Sequence, residues 1–359
     1  MNVAGPVIVG GGPAGSAAAI RLLQVGARPL IIERREGSDA LCGGFLSWRT
    51  LEGLAALGIS REELSGHTVT RLRLIAGRML RCAELPAPAM GLSRRRLDRL
   101  MLARARRLGA NVVQGTASYG DGRLWLGDAE PVDRAGLFLA TGKHDLRGLP
   151  RSRDAAGHDP MMGLRLRVTP SDANRRELTG TIEMHLFPRG YAGIVLQDDG
   201  TANICMAVHK SRLAAAEGKP ALLLAKLAAE NPQLAARLAD MPGDPAFDAI
   251  ARVPYGWRAT RGVEGIFRLG DQAGVIPSLA GEGIGIALAS AEEAVRFWKS
   301  GGGAAAPAFQ QHLSARLRRP LAVAGLVARL GEGKRGAVLL TLLAAIPGAA
   351  ALVAGMTRV

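Results

Sequence analysis

The stretch Gly10-Gly11-Gly12-Pro13-Ala14-Gly15, which follows the apolar run Val7-Ile8-Val9, decides how the chain begins to fold. Its spacing is GxGxxG: Gly10 allows a tight turn, Gly12 lets a phosphate approach the backbone, and Gly15 permits close helix packing. Glu33 ends the next apolar run, where its carboxylate can accept hydrogen bonds from ribose hydroxyls. A strand, a glycine turn, a helix whose N-terminus faces phosphates and an acid-ended strand together predict a dinucleotide site.

Periodicity along the rest of the chain predicts an α/β fold with two domains and a helical C-terminal segment. Residues 68–85 and about 160–209 alternate apolar with polar positions, as antiparallel strands do. Ser93 to Leu108 instead has a helical period that ends at Gly109. We therefore expect a Rossmann-like parallel-sheet domain and a second α+β domain that contains an antiparallel sheet. The predicted segments are 1–66, 91–150 and 256–300 for the first domain, 67–90 and 151–255 for the second, and 301–359 for the C-terminal helices.

A second glycine-rich stretch lies far along the chain, Gly270-Asp271-Gln272-Ala273-Gly274, followed by Pro277 and Gly281-Glu282-Gly283-Ile284-Gly285. A strand-end carboxylate can accept from polyol hydroxyls, and a glycine-rich helix N-terminus suits an electron-rich ring carbonyl. The stretch resembles the second FAD motif of the glutathione-reductase-type flavoproteins. It is most similar to the branch of geranylgeranyl reductases, group A flavin monooxygenases and electron-transfer flavoprotein quinone oxidoreductases. The resemblance implies an FAD cofactor whose ribityl chain is held by Asp271.

Three further segments extend the resemblance to nearly the whole chain apart from its C-terminal tail. Ser93-Arg94-Arg95 resembles the family's arginine motif, which implies that Arg94 reaches the FAD phosphates, and Ala140-Thr141-Gly142 resembles its turn beside the nucleotide. Cys42-Gly43-Gly44 resembles a flavin-side segment of the geranylgeranyl reductases, although a buried structural role suits Cys42 nearly as well. The predicted cofactor-binding residues are Gly10, Gly12, Pro13, Ala14, Gly15, Glu33, Arg34, Cys42, Gly43, Gly44, Arg94, Thr141, Gly142, Gly270, Asp271, Pro277, Gly281, Gly283 and Ile284.

The residues predicted to line a substrate pocket are Tyr191 and, more weakly, His185, because the family places substrate-facing side chains in this region. Either side chain could instead pack inside the sheet. The resemblance and the apolar tail imply a lipophilic small-molecule substrate such as a polyketide, a quinone or an isoprenoid. We identify no catalytic residue and no metal site, because flavin itself carries the redox chemistry and the protein supplies binding and orientation.

The sequence favours an FAD-dependent oxidoreductase of the monooxygenase type and leaves two alternatives open. Tyr191-Ala192-Gly193-Ile194 keeps only the tyrosine of the reductases' Tyr-x-Trp-x-Phe-Pro motif, which weakens carbon–carbon double-bond reduction. The turn Ala140-Thr141-Gly142-Lys143 lacks the Asp-Gly segment of ordinary group A hydroxylases, so the electron donor, NAD(P)H or another reductant, stays open. Electron transfer to quinone is disfavoured, because Cys42, Cys82 and Cys205 are too few for a four-cysteine cluster.

Composition limits the partners and the compartment. The formal net charge is +15, but the arginines are spread along the chain without a nucleic-acid motif or base-stacking aromatics, so we predict no nucleic-acid partner. The three cysteines have neither an even count nor metal-ligand spacing, which fits a reducing cytoplasm. The first residues lack the features of a signal peptide. We therefore expect a cytoplasmic protein.

The tail from Ala337 to Met356 has no charged residue and is divided by Pro347-Gly348. Its length nominally reaches that of a membrane span, but each half is nearer ten residues. We therefore favour a helical hairpin that caps the substrate cavity, over peripheral membrane contact through this segment and over a true span.

Overall fold

The computed structural model describes residues 5–127, 131–132, 135–151, 157–243, 245–343, 346, 348, 352 and 355–358. Within them the chain has the predicted mixed α/β architecture, with one parallel sheet, a second larger sheet and C-terminal helices. Each sheet supplies one wall of a deep cavity.

Five short parallel strands form the sheet that carries the glycine turn, in the spatial order β16-β10-β1-β2-β6. They are β1 (Val7–Val9), β2 (Leu30–Glu33), β6 (Asn111–Gln114), β10 (Leu137–Leu139) and β16 (Ile266–Arg268). The central strands β10 and β1, and β2 as far as Ile32, are apolar because both faces of the sheet are covered, as is usual for parallel sheets. On one face lie helices and on the other lies a small sheet of β7 (Ala117–Gly120), β8 (Arg123–Leu126) and β9 (Pro131–Val132).

The helical layer on this sheet is built from segments that are far apart in the sequence. Helix α1 (Pro13–Gln24) packs against α4 (Arg94–Arg107) and α9 (Gly283–Gly301), and α4 matches the helix predicted from Ser93 to Leu108 to within one residue at each end. Helix α10 (Ala306–Gly331) covers β16, where Phe267 contacts Phe309. Two shorter helices, α2 (Trp48–Ala55) and α3 (Arg61–Leu64), complete the layer.

The second sheet has eight strands in the order β15-β11-β14-β13-β12-β4-β5-β3. They are β3 (Phe45–Leu46), β4 (His67–Ala76), β5 (Met79–Gly91), β11 (Met161–Val168), β12 (Gly180–Phe187), β13 (Gly190–Leu196), β14 (Ala202–His209) and β15 (Asp248–Val253). The sheet is antiparallel, as predicted, except at one pairing. Strands β4 and β12 run parallel, because they come from separate segments joined by a long excursion through the first domain.

The two faces of the second sheet have different neighbours. One face packs against α5 (Asp172–Leu178), α6 (Lys210–Ala214), α7 (Pro220–Glu230) and α8 (Pro232–Leu238). The other face looks toward the parallel sheet across the cavity. Strand β3 lies within the segment predicted for the first domain yet pairs with β5, so it ties the two sheets together. The domain boundaries themselves stay a prediction.

The C-terminal segment closes the cavity from the side. Helix α11 (Lys334–Leu343) packs on β4, β5 and β12, with Ala337 buried in the same apolar cluster as Leu186 and Tyr191. Residues 344, 345, 347, 349–351, 353 and 354 of the predicted hairpin lie outside the described residues. In the described part of the chain, no helix combines the length and the apolar character that crossing a bilayer requires. Peripheral membrane contact stays a prediction.

Candidate active site

A single cavity of about 1070 Å³ runs between the glycine turn and the second sheet. Most of the predicted cofactor residues line it, although their roles in binding FAD stay predictions. The residues that do so are Gly10, Gly12, Pro13, Ala14, Glu33, Arg34, Cys42, Gly43, Gly44, Arg94, Thr141, Gly142, Gly270, Asp271, Gly281, Gly283 and Ile284. Gly15 and Pro277 are buried behind these residues and do not line the cavity.

The glycine turn is shaped by close contacts between backbone atoms. Gly10 has a φ of +104°, and a methyl group on it would come within 2.4 Å of the Ala140 carbonyl oxygen. A methyl group on Gly15 would lie 1.8 Å from the Gly10 carbonyl oxygen. Both positions therefore exclude any larger residue, as the motif predicts.

Glu33 reaches back from the end of β2 to this turn. Its Oε2 accepts a hydrogen bond of 2.6 Å from the Gly11 amide, and its Oε1 accepts one of 2.8 Å from the Arg35 amide. A carboxylate oxygen can accept more than one hydrogen bond, so acceptor capacity remains for a ligand hydroxyl. Glu33 also lines the cavity, as a ribose-binding carboxylate must.

The first turns of two long helices open into the cavity. Helices α1 and α9 have no side-chain capping hydrogen bond from the residues that precede them, Gly12 and Glu282. By contrast, the Ser47 side chain caps α2 and the Ser93 side chain caps α4. Helix N-termini carry unpaired amides and a partial positive charge, which suits phosphate and carbonyl oxygens.

Glycines line the cavity where a bound group would have to approach the backbone closely. A methyl group placed on Gly43, Gly142 or Gly283 would meet no atom within 4 Å, so the space beside each of them is free. The uncapped helix ends, the acceptor at Glu33 and this glycine-lined space fit an elongated dinucleotide such as FAD.

Four charged side chains stand between the two glycine motifs. Arg94 donates from Nε and Nη2 to the two carboxylate oxygens of Asp98, at 2.8 and 2.7 Å. Burial opposes the charge on Arg94, but Asp98 outweighs it and raises the arginine pKa. Lys143 Nζ lies 3.4 Å from Asp271 Oδ2, and this carboxylate raises the lysine pKa. Arg94 and Lys143 are thus fixed cations that line the cavity between the two glycine motifs.

The Cys42-Gly43-Gly44 loop is held by the second sheet. The side-chain amide of Asn203 donates to the carbonyl oxygens of Cys42 and Gly43, at 3.1 and 2.8 Å. Cys42 and Cys205 both line the cavity, and burial raises the pKa of the Cys205 thiol to about 12. Cys205 is therefore a neutral thiol at physiological pH and contributes a small, polarizable surface.

A cluster of three hydroxyl groups faces the cavity at the second sheet. The Ser278 Oγ lies 2.8 Å from the Tyr191 hydroxyl and 3.0 Å from the Tyr255 hydroxyl, and the Leu279 amide donates to Tyr191 at 3.1 Å. The cluster has three hydroxyl hydrogens but only two hydrogen bonds between its members. Counting the described residues, one O–H is therefore left to donate to a ligand. Burial raises the pKa of both tyrosines, which keeps them protonated.

Most other side chains at this end of the cavity are apolar. Asp248 of β15 and the Arg358–Glu282 pair also line the cavity, but the side chains from β4, β12, β15 and α11 around the hydroxyl cluster are otherwise apolar. They include Leu72, Leu74, Ile182, Met184, Leu186, Ile250 and Leu340.

The prediction that His185 faces the substrate was wrong. His185 alternates with the cavity-lining residues of β12, so its ring lies on the opposite face of the sheet, where it is fully buried. Its Nε2 lies 3.1 Å from Glu183 Oε2, and Glu183 also accepts hydrogen bonds from Arg73 and Arg237. Tyr191, by contrast, lines the cavity as predicted.

Several site residues had no clear sequence signal. Lys143 directly follows the predicted turn at Thr141-Gly142, so its position in the sequence could have indicated that it belongs to the site. Tyr255 is one of only three tyrosines in the chain, and that scarcity was the available hint. Ser278 and Arg358 carry no local pattern, because their positions depend on packing between distant segments.

Comparison with known proteins gives a partial sequence match and an extensive match in fold. Residues 4–120 match a family model described as an FAD binding domain. A search of curated protein sequences gave no match. The flavin-dependent brominase Bmp2 is similar in structure with a TM-score of 0.78 at 15% identity, over 99% of this chain and 93% of that one.

Two further solved structures have the same fold. PqsL of Pseudomonas aeruginosa in complex with 2-aminobenzoylacetate gives a TM-score of 0.75 at 15% identity, over 95% of this chain and 100% of that one. A geranylgeranyl bacteriochlorophyll reductase-like protein of Thermoplasma acidophilum gives a TM-score of 0.67 at 18% identity, over 98% of this chain and 90% of that one.

Proposed function

We propose that the chain is an FAD-dependent oxidoreductase of the superfamily that includes the group A flavin monooxygenases, and that it hydroxylates a lipophilic small molecule. The observation that carries the proposal is the hydroxyl cluster of Tyr191, Ser278 and Tyr255, which is set among mostly apolar side chains of the cavity. Such a surface suits an apolar molecule with one oxygen substituent. Within the substrate classes predicted above, it favours a polyketide or a quinone over a plain isoprenoid chain.

Cofactor binding is divided among elements of the first domain. Glu33 and the first turn of α1 would hold the ribose and the phosphates, and Arg94 and Lys143 would neutralise phosphate charge. Asp271 would accept hydrogen bonds from the ribityl chain, exchanging part of its contact with Lys143 for ligand hydroxyls. Bound FAD supplies the two-electron chemistry and the activation of O2.

The proposed reaction takes one oxygen atom of O2 into the substrate. The other atom leaves as water, which requires two electrons and two protons from an external donor such as NAD(P)H. The apolar wall contributed by Leu72, Met184 and Leu340 would keep bulk water from the reacting atoms, which limits wasteful release of reduced oxygen.

The hydroxyl cluster would orient the substrate rather than remove a proton from it. Both tyrosines stay neutral because burial raises their pKa, so neither is a base near neutral pH. The remaining O–H of the cluster would donate to the substrate oxygen and hold the molecule in one orientation over the cofactor.

Reduction of a carbon–carbon double bond is the second candidate. The apolar walls of the cavity suit an isoprenoid chain, and the fold similarity to a reductase-like protein is compatible with it. The two reactions differ in product mass, since hydroxylation adds an oxygen atom and reduction adds two hydrogen atoms.

The test incubates the FAD-loaded protein with a panel of polyketides, quinones and polyprenyl compounds. NADH, NADPH or dithionite serves as reductant, with and without air, and the product masses are measured by mass spectrometry. We expect an oxygenated product only in air. Tyr255→Phe should raise KM by about tenfold, while Tyr119→Phe, which alters a tyrosine outside the cavity, should leave it unchanged. A product formed equally well without air contradicts the proposal.

A further inference from the structure

Arg358 lies far from the glycine motifs in sequence yet is buried against the second of them. Its Nη1 donates to the Ala280 carbonyl oxygen at 3.0 Å and pairs with Glu282 Oε1. The guanidinium also stacks over the Trp48 ring, with its Cζ 4.9 Å from the ring centroid. Its side chain is only 5% exposed and lines the cavity.

Glu282 needs this partner because it is itself buried. It directly precedes α9, and Ser47 Oγ donates to its Oε1 at 2.7 Å. Burial raises the pKa of Glu282, and the charge of Arg358 opposes that change. A buried carboxylate that loses its ion-pair partner is strongly destabilised, so the pair of Glu282 with Arg358 holds the loop before α9 in place.

The loop so held borders both parts of the cavity. Gly283 and Ile284 line it at the start of α9, while Ser278 on the same loop belongs to the hydroxyl cluster. Among the described residues, Arg358 Nε is buried without a hydrogen-bond partner. The Arg358 side chain thus keeps an unpaired donor inside the protein while the residue itself lines the cavity beside Gly283 and Ser278.

We propose that Arg358 is a positioning residue for the flavin: by neutralising Glu282 it fixes the 278–284 loop against the ring and sets the electrostatic potential at this end of the cavity. The contacts are made by a side chain from the last described segment, so that segment is part of the cofactor site. The proposal rests on the proposed function only in placing the ring beside this loop.

The charges of Glu282 and Arg358 predict the direction in which the flavin midpoint potential changes when either residue is replaced. A flavin gains negative charge on reduction, so an unpaired cation beside it favours the reduced form and an unpaired anion disfavours it. Glu282→Gln leaves Arg358 without its counter-charge and should shift the flavin midpoint potential to more positive values. The double variant Glu282→Gln with Arg358→Met removes both charges and should return the potential toward that of the unchanged protein.

The experiment measures FAD affinity by fluorescence titration and midpoint potential by spectroelectrochemistry, both without substrate. Arg358→Met should weaken FAD binding at least about tenfold and should not raise the potential, because it leaves the carboxylate behind. Arg358→Lys, which keeps the charge, should remain close to the unchanged protein. Arg296→Met alters an exposed arginine paired with Glu293 and is the control for loss of an ion pair elsewhere.

A positive shift of the midpoint potential in Glu282→Gln that is reversed in the double variant supports the proposal. It is overturned if the single and double variants shift the potential equally, or if Arg358→Met binds FAD as tightly as the control. Because no substrate is present, this outcome is independent of whether the protein hydroxylates or reduces its substrate.

Discussion

The Gly11 amide donates a hydrogen bond of 2.6 Å to Oε2 of Glu33, which joins the glycine turn to the end of the second parallel strand. The carboxylate thereby shapes the turn as well as facing the cavity. Two roles that the motif assigns separately, the tight turn and the ribose acceptor, are physically coupled through one side chain.

Replacing Glu33 by alanine should weaken FAD binding by about tenfold to a hundredfold. The substitution removes the acceptor for the Gly11 and Arg35 amides and for a ligand hydroxyl, and hydrogen bonds to charged groups are worth about 1.5–3 kcal/mol. Titration of the apo-protein with FAD measures the change. Glu36→Ala is the matched control, because Glu36 pairs with Arg106 on the surface. Equal affinity of the two variants would refute a role for Glu33.

Alanine at Gly15 and at Gly43 should separate folding from cofactor binding. At Gly15 the added methyl would clash with the Gly10 carbonyl oxygen, so the variant should lose stability even without FAD. At Gly43 the methyl meets no protein atom within 4 Å, so the apo-protein should melt at nearly the same temperature while FAD affinity falls. Thermal melts of both apo-proteins and FAD titrations provide the comparison. Unchanged FAD binding by Gly43→Ala would place the cofactor elsewhere.

The parts of the fold that sequence could predict are those decided by neighbouring residues. Gly10, Gly12 and Glu33 belong to one strand–turn–helix–strand unit whose conformation is local, and their arrangement agrees with the prediction. In β12, Thr181, Glu183 and His185 alternate with Ile182, Met184 and Leu186, which places His185 on the polar face of the strand. Which of the two faces meets the cavity depends on packing against other segments, so the sequence alone did not decide it. Tyr255 and Arg358 could not be found either, since their partners Ser278 and Glu282 are brought to them only by tertiary packing.

Glu183 should contribute strongly to stability and little to catalysis. Burial opposes its ionisation, but hydrogen bonds from His185 and Arg237 outweigh burial and lower its pKa. Glu183→Gln leaves Arg73 and Arg237 with an incomplete set of partners and should cost about 3–5 kcal/mol in unfolding free energy, with FAD affinity unchanged.

Urea unfolding at neutral pH measures the loss at Glu183, with Glu177→Gln as control, because Glu177 is largely exposed and should cost less than about 1 kcal/mol. Because the folded pKa is lowered, the stabilisation by Glu183 is present above its ordinary pKa of 4.5 and disappears as pH falls through the folded value. Equal costs of the two variants at neutral pH would contradict this account.

His209 should make the attachment of α10 dependent on pH. Its Nδ1 lies 2.8 Å from the Asp159 carbonyl oxygen and its Nε2 lies 3.0 Å from Glu332 Oε2, just beyond the end of α10. Burial opposes protonation, but these two oxygens outweigh it and raise the pKa above the ordinary 6.5. The stabilisation is therefore complete below that ordinary value and is lost as pH rises through the raised value.

Melting temperatures measured at about pH 6 and pH 9 test this dependence. The unchanged protein should lose more stability over that interval than His209→Gln, which cannot titrate. His312→Gln, at a half-exposed histidine near Glu293, should behave like the unchanged protein. Parallel profiles for the unchanged protein and His209→Gln would contradict the assignment.

The origin of the oxygen atom in the product tests the central claim most directly. The FAD-loaded protein is reduced and mixed with ¹⁸O2 in ordinary water, in the presence of the compound from the panel that is converted fastest. The account predicts a product that carries one ¹⁸O atom and a lower yield with Tyr255→Phe at limiting substrate. A product whose new oxygen is unlabelled, or one that has gained two hydrogen atoms and no oxygen, would contradict it.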